Sequence, residues 1–166
     1  MNKLPAVVIL AVTILSLAGC TSRTILEGLT GEDGETKLHV WFVRPVGDDL
    51  KLVEVARPHG RKDAITESVE ELLRGPSGQE IQAGIGSEIP KGTILLGVEE
   101  KGDTIDLNLS RRFASGGGSS SLETRLEQLR RTVAASAGGK KVFLSVEGRR
   151  LSAAAGEGLE IKQPIN

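Results

Sequence analysis

The chain has a single cysteine, Cys20, among its 166 residues, and only two histidines, His39 and His59. One cysteine excludes a disulfide within the chain. With no second thiol and no His-Glu-x-x-His, a zinc site has little to draw on. The patterns GxxxxGK[ST], GxGxxG and GxSxG are also missing, so no phosphate loop, dinucleotide fingerprint or nucleophile elbow is written here. A triad assembled from distant residues is not excluded by counting. No sign of charge dominates: 21 Lys and Arg stand against 22 Asp and Glu. That balance lacks the broad basic footprint of a nucleic-acid binder. Aromatic residues are scarce as well, with one tryptophan, three phenylalanines and no tyrosine.

One long apolar run is present, Leu4 to Ala18, behind the basic start Met1-Asn2-Lys3. At about 15 residues it falls short of the ~20 that a spanning helix needs. A basic start, a short apolar stretch and small residues before a cut mark a secretory signal. The ending Leu17-Ala18-Gly19-Cys20 resembles the lipobox of bacterial lipoproteins. That resemblance implies cleavage before Cys20, a diacylglycerol on its thiol, and Cys20 as the mature N-terminus. Each buried methylene contributes ~0.8 kcal/mol, so two acyl chains hold where one does not. Removal of residues 1–19 takes away Lys3 and no acid, leaving a net charge of −2. Residues 20–36, including GLTGEDGET, read as a flexible tether, because they offer little apolar surface to offset ordering entropy.

The folded domain is expected over residues 37–166, a length that buries enough surface to fold without disulfide or metal. Leu38, Val40 and Phe42 alternate as in a strand, and a second strand is expected over Leu50–Ala56. Asp63 to Arg74 reads as a helix capped by Asp63 and ended by Gly75-Pro76. A hairpin follows, with Ile94, Leu96 and Val98 facing inward on one strand and Ile105, Leu107 and Leu109 on the other. Ser120 and Glu123 match a capping box opening a second helix, Ser121 to about Ala137. Lys140 to Val146 is a further strand, and Arg150-Leu151 a short return. The expected class is α+β: a two-layer, mostly antiparallel sheet with two helices on one face, in the order ββαββαβ.

Chemistry candidates are few. SGGGSSS, Ser115 to Ser121, reads as a turn and helix cap rather than an anion cradle. Acid pairs such as Asp48-Asp49 and Glu99-Glu100 fall at turns and strand ends and read as solvated. The loop ARPHGRK is basic and could meet anionic lipid heads, with an ordinary charged loop as the plainer reading. Asn108-Leu109-Ser110 fits a glycosylation acceptor but lies on an expected strand. If Leu38, Val40 and Phe42 face the helices, Trp41 and Val43 face outward, and Phe143 does the same in its strand. An aromatic patch there would mark a contact surface, unless Leu159 and Ile161 of the tail cover it.

Taken in order, KLHVWFVR, LLRGP, IGSEIPKGTILLGV, TIDLNLS, FASGGGSSSLETRLEQLRRTV, VFLSVEGRRL and GEGLEIKQPI resemble the GerMN domain of bacterial envelope and sporulation lipoproteins. The tail resembles that of cyanobacterial members. The resemblance covers nearly everything from Lys37 onward. It implies a fold similar to ring-building motifs, which assemble into oligomers or scaffolds, and it carries no established catalytic residues. RRTVAAS departs from the family by having no tyrosine in its helix. Trp41, Phe143, Gly116, Gly117, Gly118 and Arg125 are the candidate interaction residues, and Cys20 the lipidation site. The leading expectation is a non-catalytic, extracytoplasmic scaffold or protein-binding module. Its partners would be the membrane through the lipid and a second copy or another envelope protein, with no cofactor and no nucleic acid. The alternatives are an enzyme acting on cell-wall glycan or a phosphoester, and a small ligand-binding lipoprotein.

Overall fold

A computed structural model describes residues 37–152 and 160–166. The expected signal (1–19), Cys20, the tether and Leu159 lie outside the described residues.

Strands β1 (Lys37–Val46) and β2 (Asp49–Pro58) form a two-stranded antiparallel ribbon joined by the two-residue turn Gly47-Asp48. Gly47 takes φ 62° at the first turn position, as hairpin turns of this kind require. Helix α1 (Ala64–Arg74) begins where Asp63 accepts the backbone N–H of Thr66 and ends at Gly75. A short helix α2 (Gly78–Gln82) follows, opened by a capping box between Ser77 and Glu80. A second sheet holds β3 (Leu95–Lys101), β4 (Thr104–Leu109), β5 (Lys141–Val146) and β6 (Arg149–Arg150), in that spatial order. A 3₁₀ turn (Arg111–Ala114) and helix α3 (Gly118–Ser136) carry the chain from β4 to β5, which lie parallel. A crossover of this length is what parallel neighbours need.

The α+β class and the mostly antiparallel pairing are as expected, but the strands divide between two sheets instead of joining one. The reason lies at the inner edge of β1. Val43 exchanges both backbone bonds with Gly86, at 3.0 and 2.8 Å. The N–H of Trp41 goes to the Thr132 hydroxyl, and its carbonyl accepts from the Gln128 amide. Two helix side chains and a loop thus fill the place of a third strand along Trp41 and Val43, whose backbone groups are no longer free to join the larger sheet.

One core unites the pieces. Val40 and Phe42 from β1, Val69 and Leu72 from α1, Leu107 from β4, Leu129 and Val133 from α3, and Leu144 from β5 are all buried in it. Burying side chains of this size contributes roughly 1.5–3 kcal/mol each.

Three local expectations are corrected. Ile94 and Leu96 point to solvent, at 58% and 48% exposure, whereas Leu95 and Val98 pack inward. An irregularity between Leu95 and Gly97 adds a residue to β3 and reverses its phase. Helix α3 begins at Gly118 with Gly117 as N-cap and no side-chain cap, so the Ser120–Glu123 box does not form. Val43 is buried, so it is not part of an outward face.

The tail also docks differently. Ile161 and Ile165 are buried in the core, and the Ile165 N–H bonds to the Val142 carbonyl. The Gln163 amide accepts from the Leu144 N–H at 3.0 Å and donates to the Leu144 and Leu151 carbonyls at 3.1 and 2.8 Å. The Asn166 amide takes the Val142 N–H and donates to the Lys140 carbonyl. Two side-chain amides therefore complete the β5 edge that β6 is too short to cover. Residues 160–166 close this edge.

Candidate functional site

The densest polar cluster lies along α3. Ser121, Arg125, Gln128 and Thr132 fall at i, i+4, i+7 and i+11, one stripe of a helix. The last three are buried. Arg125 donates from Nε to the Glu88 carbonyl at 2.9 Å and from Nη1 to the Phe113 and Ser115 carbonyls at 2.9 and 3.1 Å. Its Nη2 donates to the Gly116 carbonyl at 2.6 Å and to the Ser121 hydroxyl at 2.9 Å. These bonds use all five donors of the guanidinium on the chain itself. Burial lowers the Arg125 pKa from its ordinary value, and the Glu88 carboxylate opposes that shift.

The glycine loop is shaped around this cation. Gly116, Gly117 and Gly118 all have positive φ. At Gly117 a side chain would also collide, because a Cβ there would stand 2.4 Å from Arg125 Nη2. The SGGGSSS stretch is thus a turn whose carbonyls face inward onto an arginine. Ser121 donates to Glu88 Oε2 at 2.5 Å, and the Glu88 N–H reaches Gln128 Oε1 at 2.9 Å. The α3 stripe therefore ties together the glycine loop, the 87–88 segment and β1.

Trp41 and Phe143 fall in different sheets and line different surfaces, so the single aromatic patch is not formed. The Trp41 ring lies under the Arg131 guanidinium, 5.2 Å from its centroid, in a groove with Arg130, Ala134, Ala135 and Asn166. Phe143 does lie on the outward face, where the Arg150 guanidinium covers it at 4.5 Å. Arg150 also pairs with Asp106 at 2.6 Å, beside Asn108 and Ser145. The basic loop is largely neutralised from within. Arg57 grips Glu80 with two 2.7 Å bonds, Lys62 meets Glu70, and His59 lies 3.6 Å from Glu67. Among the described residues, no three His, Cys, Asp or Glu side chains are grouped to hold a metal.

The family described as "Germane: Sporulation and spore germination" matches residues 39–152. This chain belongs to the Germane family. The match spans the ribbon, both sheets and the α3 stripe, so the GerMN resemblance holds. The fold is similar to the first GerMN domain of the sporulation protein GerM from Bacillus subtilis, with a TM-score of 0.61 and 18% identity over 77% of this chain and 95% of that one. It is also similar to the tandem GerMN domains of the same protein, with a TM-score of 0.59 and 20% identity over 78% of this chain. There it spans 45% of the tandem chain, in keeping with one domain against two. No curated protein matches.

Within this Germane domain, sequence reasoning singled out Arg125 and the glycines but not their partners. Glu88 lies in a loop with no periodicity, and Gln163 in a tail whose docking depends on β5. The Arg57–Glu80 pair was hidden for the same reason. The two residues are far apart in sequence and meet only where the folded chain brings Glu80 of α2 to Arg57 near the end of β2. That contact pulls the Glu80 carboxyl down to about 2, mainly through its hydrogen bonds from Arg57.

Proposed function

We propose that this Germane domain is carried on a lipidated Cys20 outside the bacterial cytoplasm, where it acts by contact, without catalysis, as a scaffold or binding module of the envelope. The lipobox-like ending at Cys20 supports the anchor and the address. One structural observation carries the contact reading. The richest polar cluster is spent on the chain itself, with Arg125 and Gln128 engaged inward, while large apolar side chains stand exposed along strands and at a hairpin tip. Ile94 and Leu96 border the outer strand of one sheet, and Val46 and Leu50 flank the turn of the other. Exposed apolar groups of this kind serve recognition more readily than turnover.

The reading is tested by growing the bacterium that bears this chain on an alkyne-tagged palmitate, then fractionating its envelope. Label on the wild-type chain in the membrane fraction, lost in Cys20→Ser, is the expected result. An unlabelled chain recovered from the cytosol would overturn the anchor. Turnover of a glycan or phosphoester by the purified chain would overturn the contact reading.

A further inference from the structure

The edges of the longer strands in the two sheets are treated unequally. The β1 edge is filled by Gly86, Gln128 and Thr132, and the β5 edge by β6, Gln163, Ile165 and Asn166. Among the described residues, no other element bonds to the outer edges of β2 and β3. The two open edges carry charges of both signs, Asp49 and Lys51 on β2 and Glu99 and Lys101 on β3, with exposed apolar groups beside them. Leu50 on β2 and Ile94 and Leu96 at β3 are exposed at 44%, 58% and 48%. Open apolar edges are templates for strand addition.

We infer that the outer edge of β2 in one copy pairs antiparallel with the outer edge of β3 in the next, joining copies head to tail. The register follows from the ladder each strand already makes. Val46 and Asp49 close the β1–β2 hairpin, and Val43 turns its backbone groups away from β2 toward Gly86. The alternation of an antiparallel pair then directs the free backbone groups of Leu50 and Leu52 outward. On β3, Lys101 and Thr104 close a two-residue turn, so Val98 and Glu100 carry the outward groups. Setting Leu50 opposite Glu100 and Leu52 opposite Val98 satisfies these groups mutually. The same register places Asp49 opposite Lys101 and Lys51 opposite Glu99.

Charge complementarity selects this partner. Within one copy, Lys51 lies 3.6 Å from Asp49, and Lys101 lies 2.9 Å from Glu99, all four side chains being well exposed. Each strand thus carries an acid and a base two residues apart on one face. Antiparallel approach of a second copy sets Asp49 against Lys101 and Glu99 against Lys51, while Leu52 meets Val98 and Leu50 meets Glu100 on the other face. Because the two edges differ, the contact is not self-limiting, and it propagates to a ring or a filament. The inference rests on the contact reading above and names its partner as a second copy of this chain.

Cysteine pairing tests it in the full chain carrying Cys20→Ser. Lys51 and Glu99 would form a pair without direct backbone bonds, with Cα atoms about 4.5 Å apart, within disulfide reach. Under mild oxidation the double variant Lys51→Cys/Glu99→Cys is expected to give a ladder of linked dimers, trimers and longer forms. An equal mixture of the two single variants is expected to stop at the dimer. A monomer band alone from the double variant overturns the inference. So does a single variant that links to itself as readily as the mixture does. Sedimentation supplies a second readout independent of disulfides: Lys51→Glu should weaken association about fivefold, and adding Glu99→Lys should restore it. Loss without restoration also overturns the inference. An absent ladder beside a palmitate-labelled, membrane-bound wild type removes this partner and leaves the anchor standing.

Discussion

Replacing Gly117 by alanine should cost far more than the same change at either neighbouring glycine. All three have φ between 70° and 86°, so each alanine carries a backbone penalty of roughly 1–2 kcal/mol. The surroundings separate them. A Cβ at Gly116 or Gly118 meets nothing within 4 Å. A Cβ at Gly117 stands 2.4 Å from Arg125 Nη2 and 2.5 Å from Ser121 Oγ. The arginine must move, and it gives up its bonds to the Gly116 carbonyl and the Ser121 hydroxyl. A hydrogen bond involving a charged group contributes roughly 1.5–3 kcal/mol, and part of that is recovered by rearrangement. The excess at Gly117 is therefore about 2 kcal/mol, for a total of about 3–4 kcal/mol. Against a total stability of roughly 5–15 kcal/mol, that is a large fraction. Urea unfolding of the three variants in the Cys20→Ser chain measures the difference directly. Equal midpoints for Gly117→Ala and Gly116→Ala would refute the account of the loop as an arginine-centred turn.

Acid should weaken the domain through Glu80. Its carboxyl is held at about 2, so the stabilisation is full above the ordinary carboxylate range and is lost as pH falls toward 2. The contribution is at most about 3 kcal/mol. Glu80→Gln should be less stable at neutral pH and show a flatter stability profile between about pH 4.5 and 2, measured by urea midpoints. Gln163→Ala should leave the fold intact but speed hydrogen exchange at the Leu144 amide, whose acceptor is the Gln163 side chain. The exchange at Leu107, inside the sheet, should stay slow. Equal change at both sites would show that the tail acts on global stability and not on the β5 edge.

Elements with a clean period were legible in the sequence. Asp63 caps α1, and Ile105, Leu107 and Leu109 face the core as their alternation required. What escaped depended on groups brought together from afar. An extra residue between Leu95 and Gly97 of β3 turned Ile94 and Leu96 outward against their alternation. The Ser120–Glu123 pattern fits a capping box, but the arginine demands glycine at the helix start, and the helix begins three residues earlier. Little local marks Arg125 as buried, because four of its five acceptors are backbone carbonyls that every residue possesses. The same holds for Gln163, which reads as an ordinary tail residue and acts as a missing stretch of strand.

The central claim, that this anchored domain works by contact through its surface, is tested most directly by a photo-crosslinking residue placed at Leu96 in the native envelope, with the products identified by mass spectrometry. The account predicts discrete adducts joining Leu96 to the β2 edge of a second copy or to another envelope protein, absent when the same group is placed at the solvent-facing Glu123. No adduct at Leu96, or the same adducts from both positions, would contradict it.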